Sequence, residues 1–495
     1  MFDKITPEKA GIPSAEIKRF LDYLNDNSYS THSLLLLRNG KIFTEAYWKP
    51  FNKDFCHRQY SQTKSFVGIA IGLLVSEGKL SLDDKIADLF PEKADDPTAV
   101  PLRLKTQTVR QMLTMTTVGD RRCWFDYADS DRTHFYFNNR TEMKIPGALW
   151  EYDSPGSQVL SSLVEKLAGM PLFDFLYARL FSYMGTFKTA RILKTKNGDS
   201  WGDSAMLCTA RDMASFAQLL LNYGRWDGKQ LIDEAYVREA TSRVVDNSEE
   251  KEGHVFGHGY GYQIWRTGRD GFAFVGMGGQ LTVVLPSKQL IFVINSDNQG
   301  NDSAYDVIVN GFFSFIADRI SDDPLPDSPT DYAELEKAIN VLELFALKGR
   351  SSCPLKEIIN NVRYVCEQND LGITELSFSF NGDVGELRYT NLQGEKILPF
   401  GINKNVFGKF PELGYSDEVG GEITTNGHTY SDAVSLRFTE ERKLQIKVQI
   451  IDKYFGNLLA TFAFAGDELT CKFTANAENF LQSYNGSFDA KRKQE

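Results

Sequence analysis

The strongest constraint on this chain is where its β-prone runs fall. SLLLLRNGKIFTEAYW, Ser33 to Trp48, places two such runs around Asn39-Gly40, the pair preferred by a tight type I′ hairpin. Within the first 320 residues, comparable runs return at Gly259–Thr267, Phe272–Gly276, Gln280–Pro286 and Gln289–Asn295. Between them the pattern is mostly helical, from Thr63 to Glu77, Leu82 to Leu89 and Val109 to Arg225. Strands at both ends of a helical stretch predict an α+β domain: an antiparallel sheet closed by distant segments, flanked by helices and carrying a mainly helical subdomain. A helix from Ser303 to Ile320 completes it.

The stretch SDDPLPDSPTD, residues 321–331, reads as a linker between a domain spanning 1–320 and a second one spanning 332–495. A length of 495 residues suits that division. After a helical segment at Tyr332–Leu347, the second domain is all strand and turn, with hairpins expected at Asn381-Gly382 and Gly466-Asp467. It is therefore predicted to be a C-terminal all-β domain.

Composition narrows the function classes. With 55 Lys and Arg against 66 Asp and Glu, the net charge of −11 repels phosphate backbones, so nucleic acid is not an expected partner. The longest apolar run, Phe66 to Val75, is too short to cross a membrane and contains two glycines, and no secretory signal pattern opens the chain. Six cysteines without metal-ligand spacing favour reduced thiols and a cytoplasmic location, with no metal and no cofactor.

The sharpest chemical feature is Tyr60-Ser61-Gln62-Thr63-Lys64, directly before the most apolar helix. A serine in a first helical turn lies near unpaired backbone N–H groups that favour a developing anion. Lys64, three residues on, shares its face within about 5–6 Å. A neutral amine there can accept the serine proton. The plainer alternative is a helix-capping serine followed by a solvated lysine. Two further features agree with the chemical reading: Tyr152 and Ser154 on the loop PGALWEYDSPG (146–156), and Gly276-Met277-Gly278-Gly279-Gln280 entering a strand.

With these motifs together, and with EGKLSLDDKIADLFPE, VRQMLTMTT and TARDMASFAQLLLNYGRWDGKQLI beside them, the stretch from Phe2 to Asp318 resembles the serine β-lactamase and penicillin-binding-protein superfamily. The likeness is to its class C-like branch of esterases, D-amino-acid peptidases and nylon-oligomer hydrolases. The resemblance implies Ser61 as acylated nucleophile, Lys64 as its proton acceptor and Tyr152 as the group that shuttles the proton and later activates water. It implies an oxyanion hole from the backbone amides of Ser61 and Gln280. Ser154, Met277, Gly278 and Gly279 would contact substrate. The family's third motif places a cation where this chain has Met277, which cannot pair with a substrate carboxylate. Small, uncharged carboxylic esters become the expected substrates, with amides or D-amino-acid peptides next.

Three rival readings exist. Gly198-Asp199-Ser200-Trp201-Gly202 matches the nucleophile elbow G-x-S-x-G, but the residues before it are polar where an apolar strand is needed. A serine triad could recruit His32, His57, His134, His254, His258 or His428, none of which has a telling spacing. A catalytically silent ligand-binding or sensor protein with the same fold is the third. Arg121–Asn139 and Lys194–Asp203 are expected to shape the pocket. The oligomeric state is not legible.

Overall fold

The computed structural model describes residues 2–119, 131–138, 144–301, 303–350, 352–414, 429–477 and 484–494. Most of the stretch Arg121–Asn139, with Cys123, and also His428, lies outside them. The chain divides into two units, Met1–Glu343 and Leu344–Glu495.

In the first unit the strands are β1 (Asp3–Lys4), β2 (Thr31–Arg38), β3 (Lys41–Tyr47), β4 (His57–Arg58), β5 (Arg191–Ile192), β6 (Met206–Cys208), β7 (Arg225–Trp226), β8 (Lys229–Gln230), β9 (Trp265–Thr267), β10 (Gly271–Gly276), β11 (Gln280–Leu285) and β12 (Leu290–Ser296). Seven of them form one sheet in the order β1-β3-β2-β12-β11-β10-β9. The β2–β3 hairpin turns at Asn39 and Gly40, both at positive φ as a type I′ turn requires. Its partner β12 comes from far along the chain, pairing Leu35 with Val293.

The sheet is covered on both faces, which explains the unbroken apolar run in β2. Leu35 and Leu37 join Phe274, Val284 and Val293 in one apolar cluster; Leu34 and Leu36 join Ala273, Val283 and Phe292 in the other. The principal helices are α1 (Ser14–Asp26), α2 (Thr63–Ser76), α3 (Ser154–Ala168), α4 (Ala210–Leu221), α5 (Ala304–Phe312) and α6 (Pro329–Asn340). Helix α2 is apolar all round and accordingly buried. A Cβ at its Gly72 would lie 2.2 Å from the Tyr236 ring, and one at Gly68 would lie 2.6 Å from the Tyr262 carbonyl oxygen, so both glycines permit close approach.

The boundary between units falls at 343/344 rather than in the proline-rich stretch 321–331. The reason is α6. Its Leu335, 1% exposed, is buried in the same cluster as Phe20 and Leu24 of α1, with Ile339 packed against it. Proline content marks a break in regular structure but carries no information about which core the next helix will join.

The second unit is a ten-stranded β-structure running from Arg363 to Arg492. Its hairpins include Glu375–Asn381 with Val384–Asn391, joined at Gly382, and Phe455–Ala465 with Glu468–Ala477, joined at Gly466. Strand Gly394–Ile402 also pairs in parallel with Thr429–Glu440, closing the sheet into a barrel. No helix among the described residues is long and apolar enough to cross a membrane.

Candidate active site

Ser61 lies in a short 3₁₀ turn, Tyr60–Gln62, that runs directly into α2. Tyr60 holds φ +47°, a conformation a bulky residue rarely adopts. The Arg58 guanidinium sits 4.6 Å from the Tyr60 ring centroid, and Thr63 Oγ1 donates to the Tyr60 carbonyl at 2.6 Å. A second anchor comes from β6. His57 and Arg58 pair with Cys208 and Leu207, Gln59 N–H donates to the Met206 carbonyl at 2.8 Å, and Met206 N–H donates to Thr63 Oγ1 at 3.0 Å. The turn bearing Ser61 is thus pinned to residues 203–208.

Lys64 is 2% exposed, and its ammonium has a full set of neighbours. Nζ donates to Ser61 Oγ at 3.1 Å and to the Asp203 carbonyl oxygen at 2.7 Å, and lies 3.7 Å from Asp203 Oδ2. The Tyr152 ring centroid is 5.1 Å away. Asp203 is itself buried, 3.9 Å from Arg132 Nη1. Burial raises its pKa, opposed by Lys64, Arg132 and Arg58. Neither Asp203 nor Arg132 was singled out from sequence. Asp203 is the second aspartate of the GDSWGDS segment, where no spacing signals a partner for a lysine so distant in the chain.

Tyr152 is positioned by its flanks. Glu151 N–H donates to the Met115 carbonyl at 3.0 Å, and Asp153 caps α3 through Gly156 N–H at 2.9 Å while accepting from Thr117 Oγ1 at 2.7 Å. The Tyr152 ring stacks on Trp265 at 5.6 Å and 24°.

The opposite wall is the β10–β11 turn. Gly276 pairs with Gln280, and a Cβ on Gly276 would lie 2.3 Å from the Gln59 carbonyl oxygen, so only glycine lets this strand end meet the turn carrying Ser61. Gly278 and Gly279 take φ of +78° and +88°. The Gln280 side chain holds the turn, donating to the Met277 and Ser296 carbonyls at 2.9 and 2.6 Å and accepting from Ser296 N–H at 3.0 Å.

A cavity of about 290 Å³ is lined by Ser61, Tyr152, Lys251, His254, Phe256, Trp265, Val275, Gly276, Met277 and Tyr305. It gathers Ser61, Tyr152 and Met277 from the expected residues. Lys64, Ser154 in the first turn of α3, and Gly278, Gly279 and Gln280 are not among its lining residues. The aromatic wall and Lys251 went unread because single aromatics in a strand-like stretch look like core.

The rival serine does not have an elbow. Ser200 forms an isolated bridge with Lys194, and turns rather than a helix follow it. Of the histidines, His32 and His57 bond to each other in the core and His134 pairs with Asp95. His254 lines the cavity and has Asp306 Oδ1 3.6 Å from its Nδ1, but that nitrogen accepts from Phe256 N–H at 3.2 Å and so does not donate to the acid as a triad requires.

A family model described as "Beta-lactamase" matches residues 17–308. The chain belongs to the β-lactamase family. A 6-aminohexanoate-dimer hydrolase of Paenarthrobacter ureafaciens is 25% identical over 268 residues, covering 50% of this chain and 68% of that protein. Among solved structures, a penicillin-binding protein homologue from Caulobacter crescentus matches with a TM-score of 0.50 and 16% identity over 61% of this chain and 97% of its own. EstCE1, a hydrolase with promiscuous acyltransferase activity, matches with a TM-score of 0.50 and 14% identity over 60% and 98%. These two likenesses establish the shared fold alone. No group of three or more His, Cys, Asp or Glu residues among the described ones could hold a metal ion.

Proposed function

We propose that this chain is a serine hydrolase acting through an acyl-enzyme on Ser61, with small carboxylic esters as substrates. The observation that carries the reading is the buried Lys64 Nζ at 3.1 Å from Ser61 Oγ, with Ser61 and Tyr152 lining one cavity. In its neutral form Lys64 takes the Ser61 proton as Oγ attacks the ester carbonyl. The bond to the leaving alkoxide then breaks, and the proton passes to that oxygen by way of the Tyr152 hydroxyl. Water, deprotonated by the same pair, releases the acid and restores Ser61. The amides of Ser61 and Gln280 are the proposed donors to the oxyanion, on two elements that Gly276 brings into contact.

A second reading is amide hydrolysis, favoured by the likeness to the 6-aminohexanoate-dimer hydrolase. In either case Ser61→Ala removes turnover by a factor of roughly a thousand or more while the protein stays folded. The check is intact-mass analysis after exposure to aryl esters and amides. A mass increase localised to Ser61 supports the reading; esterase activity retained by purified Ser61→Ala overturns it.

A further inference from the structure

The cavity has two chemically distinct ends joined by an aromatic wall. At one end is Ser61, and behind it the buried Lys64 has that hydroxyl, a carbonyl and a carboxylate around its ammonium. From its ammonium the wall runs through the Tyr152 ring at 5.1 Å and the stacked Trp265 ring, and at the far side stands a second ammonium, Lys251 Nζ, 6.0 Å from the Trp265 centroid. Lys251 lines the cavity and is partly buried, yet no carboxylate of the described residues lies within 4 Å of its Nζ.

The groups nearby do not neutralise it. Glu249, Glu250 and Glu252 on the same loop are exposed, and none lines the cavity. Asp306 Oδ1 accepts from Val255 N–H at 2.8 Å and lies 3.6 Å from His254 Nδ1. His254 Nδ1 accepts from Phe256 N–H, so the neutral ring carries its proton on Nε2 and adds a second donor to the same wall. A half-exposed ammonium bordering rings and a methionine contributes little to folding. What it offers is a charge-assisted bond to an anion inside a site poor in other polar groups.

We propose that Lys251 is the specificity-determining residue that receives a substrate carboxylate remote from the scissile carbonyl, so that the preferred substrates are small monoanionic esters or amides whose hydrocarbon spacer lies against Tyr152 and Trp265. This rests on the acyl-transfer reading of Ser61, and it replaces the preference for uncharged esters that Met277 suggested. The cation absent at position 277 is supplied from a different loop.

The test compares p-nitrophenyl hydrogen glutarate with neutral p-nitrophenyl pentanoate. The wild type should favour the anionic ester in kcat/KM, and Lys251→Met should lower the anionic-to-neutral ratio about tenfold, mainly through KM, while Lys251→Arg keeps it. A wild type without that preference, or a ratio unmoved in Lys251→Met, overturns the proposal. A parallel calorimetric titration with glutaric acid monoamide separates the two claims. If neither ester acylates Ser61, the hydrolase reading falls, but binding of the monoamide that Lys251→Met abolishes still supports the carboxylate site. Absence of such binding in the wild type, or its survival in Lys251→Met, sinks it.

Discussion

Both units bury carboxylates, Glu412 and Asp432 in the second and Asp203 in the first, but the first sets its carboxylate among Lys64, Arg58 and Arg132 beside a candidate nucleophile. The second closes its barrel by pairing mostly strands that are neighbours in sequence, and it fills the interior with rings: Phe462 meets Phe378 edge-on at 5.0 Å and Phe473 at 5.8 Å. The first builds its sheet from segments far apart and accepts buried charge where they meet, with Lys64, Asp203 and Arg58 each nearly inaccessible. Burying a charge costs several kcal/mol unless partners compensate, so a fold without chemistry to perform gains little from such a cluster. The contrast agrees with the proposed site: strain at Tyr60, glycine-only contacts at Gly276 and buried ionic groups coincide at one turn, while aromatic contacts fill the barrel.

The largest expected effect tests the first half of that contrast. Lys64→Met removes the proposed proton acceptor while keeping an unbranched side chain, and it should slow acylation by roughly a thousandfold or more. Stopped-flow acylation with an activated ester reads this directly. Near-wild rates would mean that the buried ion cluster is structural only. The next effect tests the second half. Phe462→Ala in the barrel empties a site that is 0% exposed and should cost about 3–5 kcal/mol in denaturant unfolding. A loss below about 1 kcal/mol would show that the rings are loosely packed, and would blunt the comparison.

How much of this was legible follows from the same contrast. Local patterns were readable: the Asn39-Gly40 turn, the α2 helix and the turn at Gly466 depend on neighbours in the chain. The contact between Ser61 and Lys64 was readable because the two share one helical turn. Asp203, Arg132 and the wall of Lys251, His254 and Trp265 were not, since each reaches the site from a separate segment and no spacing encodes such a meeting. Gly259–Thr267 was expected as a strand throughout, yet only Trp265–Thr267 pairs in the sheet. Gly259 at φ +112° and Gly261, where a Cβ would lie 2.0 Å from the Ala240 carbonyl oxygen, hold the preceding residues in a loop instead. The unit boundary slipped for a similar reason, because Leu335 had a partner cluster that proline could not reveal.

The smallest effect concerns buried groups that do no chemistry. His32 Nδ1 and His57 Nε2 lie 2.9 Å apart, His57 Nδ1 is 2.8 Å from the Arg58 carbonyl, and His32 stacks on Phe51 at 3.9 Å. The carbonyl can only accept, so His57 Nδ1 carries its proton, its Nε2 accepts, and His32 Nδ1 donates; both rings are neutral. Burial lowers both pKa values, that of His57 to about 3 and that of His32 well below its ordinary 6.5. The unfolded chain therefore binds more protons as pH falls below about 6.5, and stability that is complete above that value is lost progressively toward pH 3. With both rings titrating, the slope between pH 6 and 5 approaches about 2.7 kcal/mol per pH unit. Urea unfolding across that interval measures it in an Asp432→Asn background, because burial pushes the Asp432 carboxyl up to about 7 and its titration opposes that of the histidines. His254 titrates in the same direction, so the series is run in His254→Asn. A flat profile there would mean that the pair is already solvated, and that this first unit buries fewer polar groups at a cost than its geometry indicates.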